Sequence, residues 1–259
     1  MRLLFAAIAI FLLCVSADFP PTDTSTYPIG VQKLMAAYPL HVAGYEDGFL
    51  IFHDQSRMRY DDGQSNKTHA ELLENPDLKD MFAYPYPKGV MTSPPERNQD
   101  PGRIRNTGFY KKIYGQTREE VESHLTEIIW CPQTIGHTLR VTTVNNVDKQ
   151  LLKISEQLDK HPEWEACIRA VGRGFNWRPI ARTDRLSAHS FGIAIDLNRS
   201  CSDYWLWDYP TADENTPIIY KNRLPLEIVE IFEQHGFIWG GKWYHYDTMH
   251  FEYRPELLM

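Results

Sequence analysis

The chain has 259 residues, 42% hydrophobic and 13% aromatic, which is enough to bury a sizeable core in one large domain or a domain with an extension. Its formal net charge is −7 and it has no run of Lys or Arg, so the basic footprint that nucleic-acid binding requires is missing. No long acidic or basic block marks a disordered tail.

Met1-Arg2 is a short basic start, Leu3 to Val15 is apolar, and Val15-Ser16-Ala17 supplies small residues before Asp18. This is the pattern of a cleaved secretory signal over residues 1–17, and the run is short for a membrane span. Export to the periplasm or the outside, with no stable span after cleavage, is the expectation. An uncleaved anchor and a lipid-modified Cys14 are the alternatives, the latter weakened by the bulky Leu13. Removal of Cys14 leaves Cys131, Cys167 and Cys201, so at most one internal disulfide can form. There is no Cys-x-x-Cys pair to make a thiolate zinc knuckle.

Asp18 to Tyr27 reads as a flexible leader. A short helix is expected over Val31–Tyr38, ended by Pro39. A strand over Gly48–Phe52 with a turn at Asp61-Asp62-Gly63 suggests a hairpin. Prolines recur from Tyr84 to Gly102, which predicts irregular chain laid over a surface. Residues 18–110 thus read as an N-terminal extension and 111–259 as the main domain.

Thr117 is placed to cap a helix with Glu120 reaching back. Val121, Leu125 and Ile128 extend that helical spacing until Cys131-Pro132. Leu139–Val144 is strand-like, and Val147, Leu151, Ile154 and Leu158 mark an amphipathic helix. Gly172–Pro179 suggests a strand. Ile193–Leu197 is a strand bordering a site. Leu226–His235 is a helix opened by Pro225 and closed by Gly236. Phe237–Trp239 and Met249–Tyr253 are the last strands. Helices and antiparallel-type strands mix without a βαβ alternation, which points to an α+β fold.

Two stretches carry chemistry. In Ser187-Ala188-His189-Ser190-Phe191-Gly192-Ile193-Ala194-Ile195-Asp196, a histidine and an aspartate are separated by a loop that Gly192 can bend tightly. That spacing suits a loop ligand followed by a strand ligand, with the small Ala194 sharing the face of Asp196. Asp247-Thr248-Met249-His250 supplies a third ligand in His250 and a carboxylate, Asp247, to act as base. Three such ligands and an open position are the donor set of a catalytic zinc, here one ion. His245 is the rival ligand, or a group that polarises the substrate. Arg178 could grip a carboxylate or an oxyanion, and Ser187 could bind a polar group of the substrate. Glu252, two residues after His250, could orient that ligand. His41, His53, His69, His124, His137, His161 and His235 show no partner pattern. Tyr204, Trp205, Trp207 and Tyr209 could wall a cleft or simply pack on the surface.

The motif Ser-x-His-x-x-Gly-x-Ala-x-Asp followed by Asp-x-x-His-Phe-Glu resembles the LAS zinc peptidases. These include VanY-like D-alanyl-D-alanine carboxypeptidases and L-alanyl-D-glutamate endopeptidases. The resemblance covers roughly Leu139 to Pro255. It implies His189, Asp196 and His250 as zinc ligands, Asp247 as catalytic base and Arg178 as the family's arginine. It further implies a small antiparallel sheet carrying the zinc site, flanked by helices as in the hedgehog and D-Ala-D-Ala peptidase folds. Peptidoglycan stem peptides are the implied partners, cut by a D-Ala-D-Ala carboxypeptidase or, alternatively, by an endopeptidase. A non-catalytic, hedgehog-like zinc module is the reading from another class.

Overall fold

The computed structural model describes residues 24–169, 172 and 174–259. The expected signal segment and Cys14 lie outside them. Among the described residues no helix is long and apolar enough to cross a membrane.

The N-terminal part opens with α1 (Ile29–Ala37), which buries Val31, Leu34 and Ala37. A three-stranded antiparallel meander follows: β1 (Val42–Glu46), β2 (Phe49–Phe52) and β3 (Arg57–Arg59). The expected hairpin is β2 with β3, but its turn is at residues 53–56, and Asp61-Asp62-Gly63 lies beyond β3. Next comes α2 (His69–Glu74), started by a capping box in which Thr68 and Glu71 satisfy each other's backbone donors. Residues 75–106 contain only one short 3-10 turn, as the prolines predict. Yet this segment is not merely laid over a surface. Tyr86, Asp100 and Ile104 are buried, and Lys242 Nζ reaches back to the Pro87 carbonyl at 2.7 Å. Its polar groups are needed by the rest of the chain, which composition alone does not reveal.

Then come α3 (Thr107–Tyr114) and α4 (Arg118–Ser123), the latter capped by Thr117 as expected. The helix stops there. Leu125–Trp130 is strand β4, paired antiparallel with β5 (His137–Thr142), and not the continuation of a helix. The 3–4 spacing of Val121, Leu125 and Ile128 misled because Ile128 and Trp130 also alternate inward at the spacing of a strand. The amphipathic helix α5 (Val147–Leu158) packs its Leu151 and Ile154 face across this hairpin. After the short α6 (Glu165–Ile168), the described residues up to Pro179 form no regular strand. Arg140 and His189 provide acceptors for its Phe175 and Asn176 amides, so tertiary bonds replace a ladder.

The third sheet is built from β6 (Ala194–Asp196), β7 (Phe237–Trp239) and β8 (His250–Tyr253), in the order β6-β8-β7, all antiparallel. Between β6 and β7 lie the short α7 (Trp205–Asp208) and α8 (Leu226–Gln234), which buries Ile228, Val229 and Phe232 against β7. The fold is α+β, with the small sheet flanked by helices. One apolar cluster runs from Val31 in α1 to Tyr253 in β8, so residues before and after 111 share a core.

Cys167 and Cys201 form a disulfide that ties α6 to the turn after β6, and Cys131 stays a buried thiol. Closing a loop across a separation of 34 residues removes denatured-state entropy worth about 3–4 kcal/mol. The Cys167→Ala/Cys201→Ala double variant is therefore expected to lose about that much stability in urea denaturation. An unchanged midpoint would contradict it.

Candidate metal centre and active-site pocket

His189 sits in the 3-10 turn Ala188–Phe191, started by Ser187, whose side chain accepts from the His189 amide. Phe191 anchors the turn between Tyr110 and Tyr114 of α3, with ring centroids 5.8 and 6.3 Å away. Gly192 ends it at φ +68°, and an added Cβ would press within 3.0 Å of the Thr142 amide of β5. The tight bend anticipated at this glycine is present, and it delivers the chain directly into β6.

Asp196 at the end of β6 stands opposite His250 at the start of β8 in the sheet register. One donor atom from each of His189, Asp196 and His250 lies within 4.8 Å of the others. His189 Nε2 is 3.2 Å and His250 Nδ1 is 3.0 Å from Asp196 Oδ1. The tautomers follow from the far side of each ring. His189 Nδ1 is 2.9 Å from the Gly174 carbonyl, which can only accept, so the proton belongs on Nδ1 and the Nε2 lone pair faces the carboxylate. That Nε2 is buried and has no hydrogen-bond partner. His250 Nε2 lies 3.3 Å from Glu252 Oε2, which leaves Nδ1 facing Asp196.

Two lone pairs and a carboxylate turned toward one point fit a zinc ion. Zinc bonds of about 2.0–2.1 Å in tetrahedral geometry imply ligand-to-ligand edges of about 3.3 Å. In the metal-free protein the cluster settles by sharing charge. Against the cost of burial, the two imidazoles hold Asp196 far below the usual carboxylate range. Burial disfavours the His250 cation, but bonds to Asp196 and Glu252 raise it to about 9.

Glu252 orients His250, as its alternation on the last strand suggested. It is itself clamped by Arg105, whose Nε lies 2.8 Å from Oε1 and whose Nη2 lies 2.5 Å from Oε2. Burial works against this carboxylate's charge, and Arg105 first and His250 next keep it well below its ordinary value. Arg105 comes from the proline-rich segment and escaped sequence reasoning. The only signal was the alternation Arg103-x-Arg105 after the Asp100-Pro101-Gly102 turn.

Asp247 bonds through its backbone, donating to the Gly240 carbonyl at 3.0 Å and bridging Tyr204. Its Oδ1 is buried and unpartnered. Burial and the nearby Asp196 charge push its carboxyl up to about 6. The metal cluster and Asp247 line a cavity of about 380 Å³. Tyr204, Trp205, Trp207 and Trp243 supply apolar wall, so part of the aromatic insertion does face the cleft. Arg103, Arg105, Arg178, Arg185 and Arg199 also line it. Arg178 and Ser187 are thus both at the pocket. The Arg178 guanidinium is exposed and, among the described residues, holds only the neighbouring Pro179 carbonyl at 3.3 Å, leaving it available to a ligand. Arg185 pairs with Glu74 at 3.2 Å.

His245 borders the pocket, but its ring turns away from the His189 trio. Its Nδ1 lies 2.7 Å from Asp100 Oδ2 and its Nε2 lies 3.2 Å from the Glu214 carbonyl. His69, which showed no partner pattern in the sequence, joins this second group.

Residues 181–253 match a family model described as D-alanyl-D-alanine carboxypeptidase. The matched stretch includes both motifs, Ser187 to Asp196 and Asp247 to Glu252, and over these residues the chain is similar to VanY-like peptidases of the LAS type. No curated protein and no solved structure gives a significant match.

The raised Asp247 carboxyl has a consequence for the metal-free protein. Its folded pKa lies above the unfolded value, so its contribution is fully present below about pH 4 and is lost as pH rises through about 6. Asp247→Asn removes that loss. Metal-free Asp247→Asn is expected to exceed the parent by about 3 kcal/mol at pH 7.5, with the difference vanishing near pH 4. Denaturation of both proteins at the two pH values checks this, and a difference independent of pH would refute it.

Proposed function

We propose that the chain is an exported zinc-dependent carboxypeptidase that removes the terminal D-alanine from peptidoglycan stem peptides. The observation that carries this reading is the cradle of His189, Asp196 and His250, in which a buried, unpartnered Nε2 and an oriented Nδ1 face one carboxylate oxygen. The family match and the apolar N-terminal stretch support the substrate class and its location outside the cytoplasm.

When bound, zinc supplies Lewis-acid polarisation of a substrate carbonyl. The chain's own residues do the rest. Asp247 takes a proton from the attacking water at Oδ1 and returns it to the leaving amine. Its Oδ1 is buried and makes no hydrogen bond among the described residues, so the carboxylate is free for both transfers. Glu252 holds His250 Nε2, and Arg105 holds Glu252, so the lone pair on Nδ1 keeps its direction. The arginines at the pocket favour a substrate that ends in a free carboxylate, with Arg178 and Arg199 the two whose guanidinium groups make no ion pair among the described residues, Arg199 lying over the Trp207 ring. Ser187 is placed to contact a polar group of the same substrate. This free-carboxylate preference is what favours terminal over internal cleavage.

Mass spectrometry of muropeptides incubated with the mature protein tests the reading. The expected result is loss of one alanine from stems with a D-Ala-D-Ala end, abolished by a chelator and restored by zinc. Internal fragments would instead assign the endopeptidase activity, and unchanged peptides from zinc-loaded protein would refute peptidoglycan cleavage. Asp247→Ala is expected to keep its zinc and lose at least ~10²-fold in turnover. Loss of zinc in that variant would make Asp247 a ligand and not the base.

A further inference from the structure

A second group of metal-type donors lies beside the pocket. It draws on four distant parts of the chain: His69 at the start of α2, Asp100 in the proline-rich segment, Glu214 after α7 and His245 before Asp247. One donor atom from each lies within 4.8 Å of all the others. The individual edges are informative. His69 Nε2 is 3.3 Å from Asp100 Oδ2 and 3.6 Å from Glu214 Oε2. His245 Nδ1 is 2.7 Å from Asp100 Oδ2 and 3.5 Å from Glu214 Oε2. Three of these four edges match the roughly 3.3 Å separation of ligands around a tetrahedral zinc.

The imidazoles are oriented as ligands are. His245 directs Nε2 at the Glu214 backbone carbonyl, an obligatory acceptor, so Nε2 carries the proton and Nδ1 faces the carboxylates. His69 sets Nδ1 3.5 Å from the Tyr84 hydroxyl and leaves Nε2 buried without a hydrogen-bond partner. The His69 side chain is only 10% exposed, and its ring stacks on that of His245 with centroids 5.7 Å apart. Both rings therefore present one nitrogen to the same two carboxylates. Asp100 Oδ1 is already used by the His245 amide at 3.0 Å, which leaves Oδ2 for the cluster.

Arg103 also touches the group. Its Nη1 lies 2.6 Å from Asp100 Oδ2 and 2.8 Å from Glu214 Oε2, and its Nη2 lies 2.8 Å from Glu214 Oε1. Each carboxylate oxygen has two lone pairs, so this guanidinium can flank the oxygens while they also ligate an ion. With neutral imidazoles, two carboxylates and one guanidinium leave a net negative charge for a cation to meet.

We propose that His69, Asp100, Glu214 and His245 bind a second divalent ion of the zinc class. Four protein ligands fill a tetrahedral site, so this ion is structural and not catalytic. It cross-links the segment before α3 to the two loops that carry Glu214 and His245. Arg103 and His245, which line the peptidase pocket, are thereby held in place. The proposal is separate from the first cradle, and the test keeps the two apart.

The mature protein is equilibrated with zinc, dialysed against metal-free buffer and assayed for zinc per folded chain, with circular dichroism verifying the fold of each variant. The expected content is two ions for the parent and one each for His69→Ala, Glu214→Gln and His250→Ala. Glu214 is partly exposed, so Glu214→Gln serves if His69→Ala does not fold. One ion in the parent that survives in folded His69→Ala and Glu214→Gln but is lost in His250→Ala would overturn the second site. One ion lost in His69→Ala but kept in His250→Ala would establish the second site and remove the first.

Discussion

The pairing of β6 with β8 is the constraint on which the site depends. It sets Asp196 directly opposite His250, so two side chains of metal-ligand type 54 residues apart in the chain meet without any adjustable loop between them. A register slip of one residue would turn every side chain of a strand to the other face. The flanking pairs resist such a slip, because Ile195 and Phe251 are fully buried. The third side chain of the proposed cradle, His189, enters from a turn pinned by Phe191 and Gly192. Rigid sheet on one side and an anchored turn on the other hold three donors close to the geometry zinc requires.

A buried polar web carries this order outward. Arg105 braces Glu252, and Arg254 sits between Glu252 at 3.3 Å and Glu256 at 2.5 Å while donating to the Gly102 carbonyl. Tyr38, at the end of α1, donates to Glu256 at 2.8 Å. Across the sheet, Lys242 and Glu233 form a buried pair joined by the Tyr86 hydroxyl. Such pairs contribute little net stability, but losing one partner strands a buried charge at a cost of about 3–5 kcal/mol. The N-terminal part is therefore bound into the peptidase part by groups that cannot be left unpaired, and it contributes Arg103 and Arg105 to the pocket.

Much of this was legible in the residues. Period and capping gave α1, α5 and α8 to within a few residues, and the strands around the motifs sit where alternation put them. Leu125–Trp130 was misread because an inward-alternating strand beside a capped turn also satisfies a helical spacing. The stretch before Pro179 was misread because its partners are side elements far away in sequence. For the site, His189, Asp196, Asp247 and His250 announce themselves through two short motifs. His69, Asp100, Arg103, Arg105 and Glu214 do not, because each is unremarkable in its own neighbourhood and acquires meaning only when the proline-rich segment folds back over the sheet.

The central claim is that the β6–β8 register and the turn before it make a three-ligand zinc cradle. Anomalous diffraction at the zinc edge from crystals of zinc-loaded protein tests it most directly. The account predicts a peak at bonding distance, about 2.0–2.2 Å, from His189 Nε2, Asp196 and His250 Nδ1, with Asp247 facing the remaining position. A zinc-loaded crystal with no peak among these three side chains, or with the ion held by His250 Nε2 and Glu252, would contradict it.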